Sequence, residues 1–382
     1  MLKTKRIREI SIPSSSLGND RKITVIGYGK PSSSQKVYIQ AGLHADEPPG
    51  FVVMHYLLKL LDQADKAGKI NQQIVLVPVA NPIGLSQWEN NRIQGRFEQF
   101  NGVNFNRAYP DLTDEVASKV KTKLQQSPKK NLEIIRKAQL ACLDKIETTD
   151  EGDFLKKTLL SLAMDADICL DLHCDYEACL HIYMGTPLWP DASDLVAQMG
   201  SKVTLLAKKS GGDPFDEACS KIWWELAERF PDYPIPNGCL SATVELRGGR
   251  DVSHENGSRD AKNIYHFLVR RGYIKGKAPV LPRVPRAATP LAGVEHVKTP
   301  TAGVVIFTKQ IGESVKKGDV IAEIVNPIAK NSAERVKKVK CKADGILFTK
   351  IPDRYAKPNR LIAKIAGKKP LKDKGDHLLT AR

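Results

Sequence analysis

The chain has 382 residues, 41% hydrophobic and 27% charged, which is the profile of an ordinary globular protein with a sizeable core and two or three domains. No stretch approaches the roughly 20 apolar residues needed to cross a bilayer, so a membrane-spanning helix is excluded. The net charge of +16 permits nucleic-acid binding, but the basic residues are dispersed and aromatics are only 6%; no nucleic-acid partner is expected, and the positive field suits small anionic ligands.

Seven cysteines, odd in number and without a C-x-x-C, are expected to be reduced thiols. Cys169 lies in an apolar run and is expected to pack as a small hydrophobe. The basic start Met1-Leu2-Lys3-Thr4-Lys5-Arg6 has no apolar signal core after it, so a cytoplasmic location is expected, with no membrane partner.

Lys22–Gly27 reads as an edge strand. Lys36–Gln40 is a short apolar run, a buried strand, after which Gly42 and Pro48-Pro49-Gly50 force a turn. Phe51–Lys66 places apolar residues at helical spacing, and Ile74–Val79 is a second buried strand. Strand, helix, strand with continuous apolar strands predicts an α/β sheet covered on both faces. Trp88–Pro110 is polar and aperiodic, a long loop of the kind that carries function. Residues 111–163 turn helical, with Asp111 and Thr113 as caps. Ile168–Leu172 and Cys179–Met184 are further strands, helices are predicted over Ala192–Lys208 and Phe215–Phe230, and Ser241–Leu246 is a strand ending at Arg247-Gly248-Gly249. A helix over Asp260–Arg271 stops at Gly272.

Pro279, Pro282, Pro285 and Pro290 make 279–290 a stiff linker. Beyond it the chain repeats itself. Ala302–Lys309 resembles Asp344–Lys350, and Val320–Ile324 resembles Leu361–Ile365, which predicts two β-hairpin units packed as a small all-β sandwich. Gly312–Asp319 resembles the turn of a biotinyl/lipoyl-type domain, but Val325-Asn326-Pro327-Ile328-Ala329 stands where the modified lysine would be. Lys330 lacks the flanks, so a structural module is expected. The basic runs around Lys337–Lys342 and Lys368–Lys374 read as solvated faces.

The turn after Lys36–Gln40 leaves His44 and Glu47 at a strand end, three residues apart and able to reach one metal ion. His173, at the polar end of Ile168–Leu172, is the proposed third ligand. Two histidines and a glutamate leave a fourth position for water, the donor set of hydrolytic zinc. Such a site needs a general base and positive charge where an oxyanion develops. Glu245 shares a strand face with Thr243 at the end of an apolar strand, and is either that base or the partner of Arg247 or Arg250. Arg96 and Arg107 lie in the long polar loop, where one can hold a substrate carboxylate and the other polarise a carbonyl, with Asn106 as a further donor.

Gly42-x-His44-x-x-Glu47-Pro48, Asn104-Phe105-Asn106-Arg107-x-x-Pro110, Asp171-Leu172-His173 and Thr243-Val244-Glu245 occur in this order, with Gly211-Gly212-x-Pro214-Phe215-Asp216-Glu217-Ala218 and Glu245-Leu246-Arg247-Gly248 extending the pattern. Together they resemble the succinylglutamate desuccinylase/aspartoacylase family of zinc-carboxypeptidase-like hydrolases. The resemblance implies a central mixed β-sheet flanked by helices, one Zn2+ per subunit on His44, Glu47 and His173, and Glu245 activating the water. It implies Asn106 and Arg107 clamping the carboxylate of the amino-acid part, and Arg96, or else Arg92, polarising the carbonyl. Asp171 is either a partner to His173 or a strand-end hydrogen bond, and His181 is expected to be a satisfied core histidine.

The expected organisation is a zinc-hydrolase domain over 1–278, the linker 279–290, a C-terminal β domain over 291–367 and a basic tail at 368–382. The expected activity is hydrolysis of the amide of a small anionic N-acyl amino acid, in a chain that can form a homo-oligomer. The alternative is a metallocarboxypeptidase for short peptides or cell-wall fragments. A non-catalytic binding protein would have no need of Glu245. The long helical stretch between Arg107 and His173 departs from well-known members, so the acyl group does not carry over.

Overall fold

The computed structural model describes residues 2–372, 374–375 and 377–379, so 373, 376 and 380–382 of the expected basic tail lie outside the described residues. In chain order come β1 (Arg6–Ile12), β2 (Arg21–Tyr28), β3 (Lys36–Ala41), α1 (Pro49–Lys66), β4 (Gln73–Val77) and the short α2 (Pro82–Leu85). The polar loop holds a small hairpin, β5 (Trp88–Glu89) and β6 (Arg92–Ile93). Three helices follow, α3 (Thr113–Val120), α4 (Pro128–Leu143) and α5 (Glu151–Ala163). Then come β7 (Ile168–Asp175), β8 (Glu177–Ala178), β9 (His181–Gly185), α6 (Ser193–Met199), β10 (Val203–Ala207), α7 (Phe215–Arg229), β11 (Leu240–Gly248), α8 (His254–Arg270) and β12 (Thr289–Pro290).

The central sheet has the order β1-β2-β4-β3-β7-β11-β9-β10-β12. It is mixed: β4, β3, β7 and β11 run parallel, β9, β10 and β12 run parallel, and the pairs β1–β2, β2–β4 and β11–β9 are antiparallel. Its inner strands are apolar on both faces because both are covered. Ile39, Leu170 and Val244 pack with α1, α6 and α8, while Tyr38 and Cys169 pack on the other side with α3, α4, α5 and α7. All seven cysteines are buried free thiols.

Two expectations, one strand and one helix, are corrected. The strand at Lys22–Gly27 is not the edge, because β1 pairs outside it from Arg6↔Gly27 to Ile12↔Arg21. Of Arg6-Ile7-Arg8-Glu9-Ile10-Ser11-Ile12 only Ile10 and Ile12 turn inward and Ile7 is exposed, so the segment lacks the period-two pattern that marks a strand. The helix over Ala192–Lys208 ends early. Gly200 takes a left-handed φ of 68° and its N–H closes on Ala197 O, the usual helix stop, and Val203–Ala207 instead forms β10. At the far end, Thr289 and Pro290 of the proline-rich segment join the sheet beside β10.

The C-terminal residues form two further sheets. One has the order β13 (Val294–Lys298), β20 (Leu361–Gly367), β18 (Gly345–Lys350), β15 (Ser314–Val315); the other has β17 (Val336–Lys340), β16 (Val320–Val325), β14 (Gly303–Phe307), β19 (Tyr355–Ala356). The repeated segments are the antiparallel pairs β14–β16 and β18–β20, and Val305, Ile321, Ile324, Leu347, Ile362 and Ile365 share one core. β8 pairs with β18, which fastens this part to the central sheet. Among the described residues no helix is long and apolar enough to cross a membrane.

Candidate metal centre and active-site cleft

The polar residues gather where parallel strands end, the usual place for a site in an open α/β sheet. β3 runs into Gly42, whose φ is +73° and where a Cβ would stand 2.3 Å from the Phe51 ring, so only glycine makes this turn. The turn presents His44 and Glu47. On β7, Asp171 and His173 share a face, and register sets them opposite Thr243 and Glu245 of β11.

His44 Nδ1 lies 2.9 Å from Glu47 Oε1, and His173 Nδ1 lies 2.9 Å from Glu47 Oε2. The candidate ligand atoms of these three buried residues all lie within 4.8 Å of one another. The outer ring nitrogens are held: His44 Nε2 is 2.8 Å from Asn104 Oδ1, and His173 Nε2 is 2.8 Å from Asp171 Oδ2. Both partners accept, so each Nε2 carries a proton and a neutral ring turns the lone pair of Nδ1 toward Glu47. Two lone pairs and a carboxylate cannot face one another without positive charge among them.

Two groups of the chain itself bring positive charge there. Arg96 Nη1 reaches Glu47 Oε1 at 3.0 Å and His44 Nδ1 at 3.3 Å. The second is a proton on His173: burial opposes it, but Asp171 and Glu47 outweigh burial and hold the ring well above the usual histidine range. Burial and Arg96 instead push His44 down to about 4. Burial would raise the Glu47 carboxyl, yet His44 and His173 hold it well below the usual range. Two imidazoles and a carboxylate, each imidazole oriented from behind, fit a divalent cation such as zinc.

Asp171 thus does both things expected of it: its Oδ2 orients His173, and its Oδ1 accepts from Gln40 Nε2 of the neighbouring strand at 3.0 Å. Asn104, in the Asn104-Phe105-Asn106-Arg107 run, holds His44 in a way the sequence does not announce. The available signal was its spacing, since Asn104 Oδ1 also accepts the Asn106 N–H, a local turn in which the asparagine is fixed in place. Asp171→Ala or Asn104→Ala is expected to weaken metal affinity by about 10–100-fold, measured by competition with a chromophoric chelator.

Glu245 is half-buried as a residue, but its Oε2 is sealed from solvent and makes no hydrogen bond. Burial, then Glu47, push its carboxyl up to about 8. Arg247 turns away to pair with Asp260. Asn106 Oδ1 accepts the Phe215 N–H at 2.8 Å and its Nδ2 lies 3.4 Å from His173 Nε2. Arg107 donates from Nη1 to the Asn106 carbonyl and lies across Gly212, where a Cβ would come within 2.9 Å of its Cδ. Arg92 and Arg96 line the cleft, as does Asp46, whose Oδ1 is buried without a partner. His181 is buried with Nδ1 2.9 Å from Cys179 O, but its Nε2 has no hydrogen bond, so it is only half satisfied.

The C-terminal sheets supply one wall of the cavity, whose volume is about 870 Å³: Ile351, Asp353, Lys357, Arg360 and Lys364 border it. Lys364 Nζ donates to Asp175 Oδ2 at 2.6 Å, and Arg354 to Glu177 at 2.7 Å, tying that wall to β7 and β8.

The loop against Arg107 has its own anchor. Buried Lys221 of α7 reaches Asp111 at 2.8 Å and Asp213 at 3.1 Å, and Asp213 O accepts the Tyr109 N–H. Burial would raise the Asp111 carboxyl, but Lys221 and the Thr113 donors outweigh it and hold it at about 2, below its ordinary 3.8. A depressed carboxyl stabilises the fold above its unfolded value, and the gain fades as pH falls from about 4 to about 2. Asp111 is 41% exposed, so screening leaves about 1 kcal/mol of this. Urea midpoints of the wild type should fall through that window, and Lys221→Met should lower stability at pH 7 and flatten the decline.

A family model of the succinylglutamate desuccinylase/aspartoacylase catalytic domain matches residues 33–141. Among solved structures, a candidate succinylglutamate desuccinylase/aspartoacylase family protein from Shewanella amazonensis superposes with a TM-score of 0.83 at 25% identity, covering 95% of this chain and 99% of its own. A similar candidate from Shewanella frigidimarina gives 0.83 at 23%, covering 95% and 97%. The product-bound ectoine utilization protein EutE (DoeB) from Ruegeria pomeroyi shares the fold at 0.66 and 15% identity, covering 96% and 97%. A comparison with curated proteins finds no significant match. Residues 33–141 are thus similar in sequence to the succinylglutamate desuccinylase/aspartoacylase catalytic domain, and the chain shares its fold with solved proteins described as belonging to that family.

Proposed function

We propose that the chain is a zinc-dependent amidohydrolase that cleaves the amide of an N-acyl amino acid, releasing a carboxylic acid and a free amine. His44, Glu47 and His173 hold the zinc, which when bound lowers the pKa of water and polarises a carbonyl. Glu245 takes the proton of the attacking water and delivers it to the leaving nitrogen. Arg96, already directed at the ligand set, stabilises the oxyanion, with Arg92 next to it in the cleft wall as the alternative. Asn106 and Arg107 hold the substrate carboxylate through charge-assisted hydrogen bonds.

The observation that carries this reading is Glu245 Oε2, a sealed carboxylate oxygen without a partner on the strand face that bears His173. Leaving such an atom unsatisfied costs stability, and a merely structural acid would be paired. We assign 1–278 as the hydrolase domain, 279–290 as linker, 291–367 as a biotinyl/lipoyl-like β domain and 368–382 as a basic tail, working in the cytoplasm on a small anionic substrate. The test is metal analysis together with hydrolysis of N-acetyl, N-succinyl and dipeptide substrates. Stoichiometric zinc with N-acyl hydrolysis supports the proposal, and a dipeptide preference replaces it with the carboxypeptidase reading.

A further inference from the structure

The cavity of about 870 Å³ is near the upper end of the roughly 300–1,000 Å³ usual for small-molecule sites. Most of its wall is mixed in polarity, but one part of it, along β9 and β10, is lined by apolar and aromatic side chains. The sheet face that carries His173 and Glu245 continues through Tyr183, opposite Thr243, to Leu205, opposite Tyr183, with Ala207 two residues on. Leu291 and Leu379 pack with these three in one cluster. Trp224 of α7 covers Gly185, where a Cβ would come 2.5 Å from its ring. All six side chains border the cleft. Leu379 is kept there by its neighbours: the Leu378 N–H donates to Ser210 O at 2.8 Å, and His377 Nδ1 lies 2.6 Å from Gly211 O. At about 4.8 Å per strand, the lobe begins roughly 10 Å from Glu245.

Arg107 borders the same cleft. It lies over Gly212 in the segment after β10, and its charge bears on Asp216, Tyr183 and Glu245. The α-carbon of an N-acyl amino acid bears the amide nitrogen, the carboxylate and the side chain. With the nitrogen at Glu245 and the carboxylate at Arg107, the side chain is directed along β9 and β10. We propose that this site selects N-acyl amino acids whose amino-acid half carries a large apolar side chain, aromatic or branched, seated against Tyr183, Leu205, Ala207, Trp224, Leu291 and Leu379. This rests on the deacylase reading above. Asp216 of α7 borders the same cleft, and Lys357, Arg360 and Lys364 border it on the side of the C-terminal sheets, so lysine and aspartate substrates probe those two charged walls against the lobe.

The test uses the full-length zinc-loaded protein with N-acetyl-L-phenylalanine, -leucine, -aspartate and -lysine, and calorimetry with free L-phenylalanine and L-aspartate. Phenylalanine and leucine substrates are expected to exceed aspartate and lysine in kcat/KM by at least about tenfold. Leu379→Asp and Ala207→Trp should each narrow that ratio about tenfold, chiefly through KM. An aspartate preference, or a ratio that neither variant moves, overturns the inference and leaves the deacylase reading intact. A lysine preference assigns the side chain to Asp216 and overturns it too. L-Phenylalanine that binds the wild type but not Leu379→Asp supports the lobe even without turnover, whereas neither turnover nor binding overturns both readings.

Discussion

Glu245→Gln is expected to lower kcat/KM by roughly 10²–10⁴-fold while zinc content stays at one per chain. Glutamine keeps the shape of the side chain and loses only the ability to take a proton. Glu245 is outside the convergent set of His44, Glu47 and His173, so the metal should remain. The same substitution should not cost stability. Oε2 of Glu245 is buried with no hydrogen bond, and burial together with Glu47 disfavours its charge, so a neutral amide removes a penalty of about 1–3 kcal/mol. The melting temperature of Glu245→Gln should equal or exceed that of the wild type. Lost turnover with a raised melting point is the signature of a group kept for chemistry at the expense of the fold. A variant that loses zinc or melts earlier would show Glu245 to be a ligand or a structural acid, and the assignment of the base would fall.

The candidate metal donors were legible because each sits where an apolar run stops. His44 and Glu47 follow β3 and His173 ends β7, so a break in the hydrophobic pattern marks the chemistry. Glu245 was legible for the same reason on β11. What the linear pattern did not carry was the second layer. Asn104 is one asparagine in a long polar loop, and only the folded loop brings its Oδ1 to His44 Nε2. The sequence assigns Arg96 to the substrate, yet its guanidinium stands against Glu47 and His44, a proximity that only the folded loop reveals. β10 was hidden inside a predicted helix because Leu205-Leu206-Ala207 suits either state, and a single left-handed glycine at 200 decided it. That strand carries the inference drawn above, because it continues the sheet face of His173 and Glu245 to Leu205 and Ala207. The ties between the C-terminal sheets and the cleft, Lys364 to Asp175 and Arg354 to Glu177, span 189 and 177 residues, and no local pattern encodes contacts of that range.

Removing the metal, or replacing His173 by Ala, is expected to abolish hydrolysis and to lower the melting temperature together. The lone pairs of His44 and His173 and the Glu47 carboxylate face a common centre, and a cation bound there stabilises the folded state alone, by RT ln(1 + [L]/Kd). At a thousandfold excess over Kd that is about 4 kcal/mol, a shift of several degrees or more for a chain of this length. His173→Ala should remove both the shift and the zinc, because it deletes one of three ligands and leaves Asp171 buried without its partner. Since the ligands bind zinc only when deprotonated, the zinc-dependent part of the melting shift should shrink as pH falls. Adding zinc back to chelator-treated wild type should restore both properties, and should restore neither in His173→Ala. Two variants then separate the layers of the site. Asp171→Ala should still be rescued, at roughly 10–100-fold higher zinc, because it loosens the orientation of a ligand without deleting one. If His173→Ala retained stoichiometric zinc and a metal-dependent melting shift, the three side chains would not be the metal centre, and the convergence seen at Glu47 would be a buried ion-pair network alone.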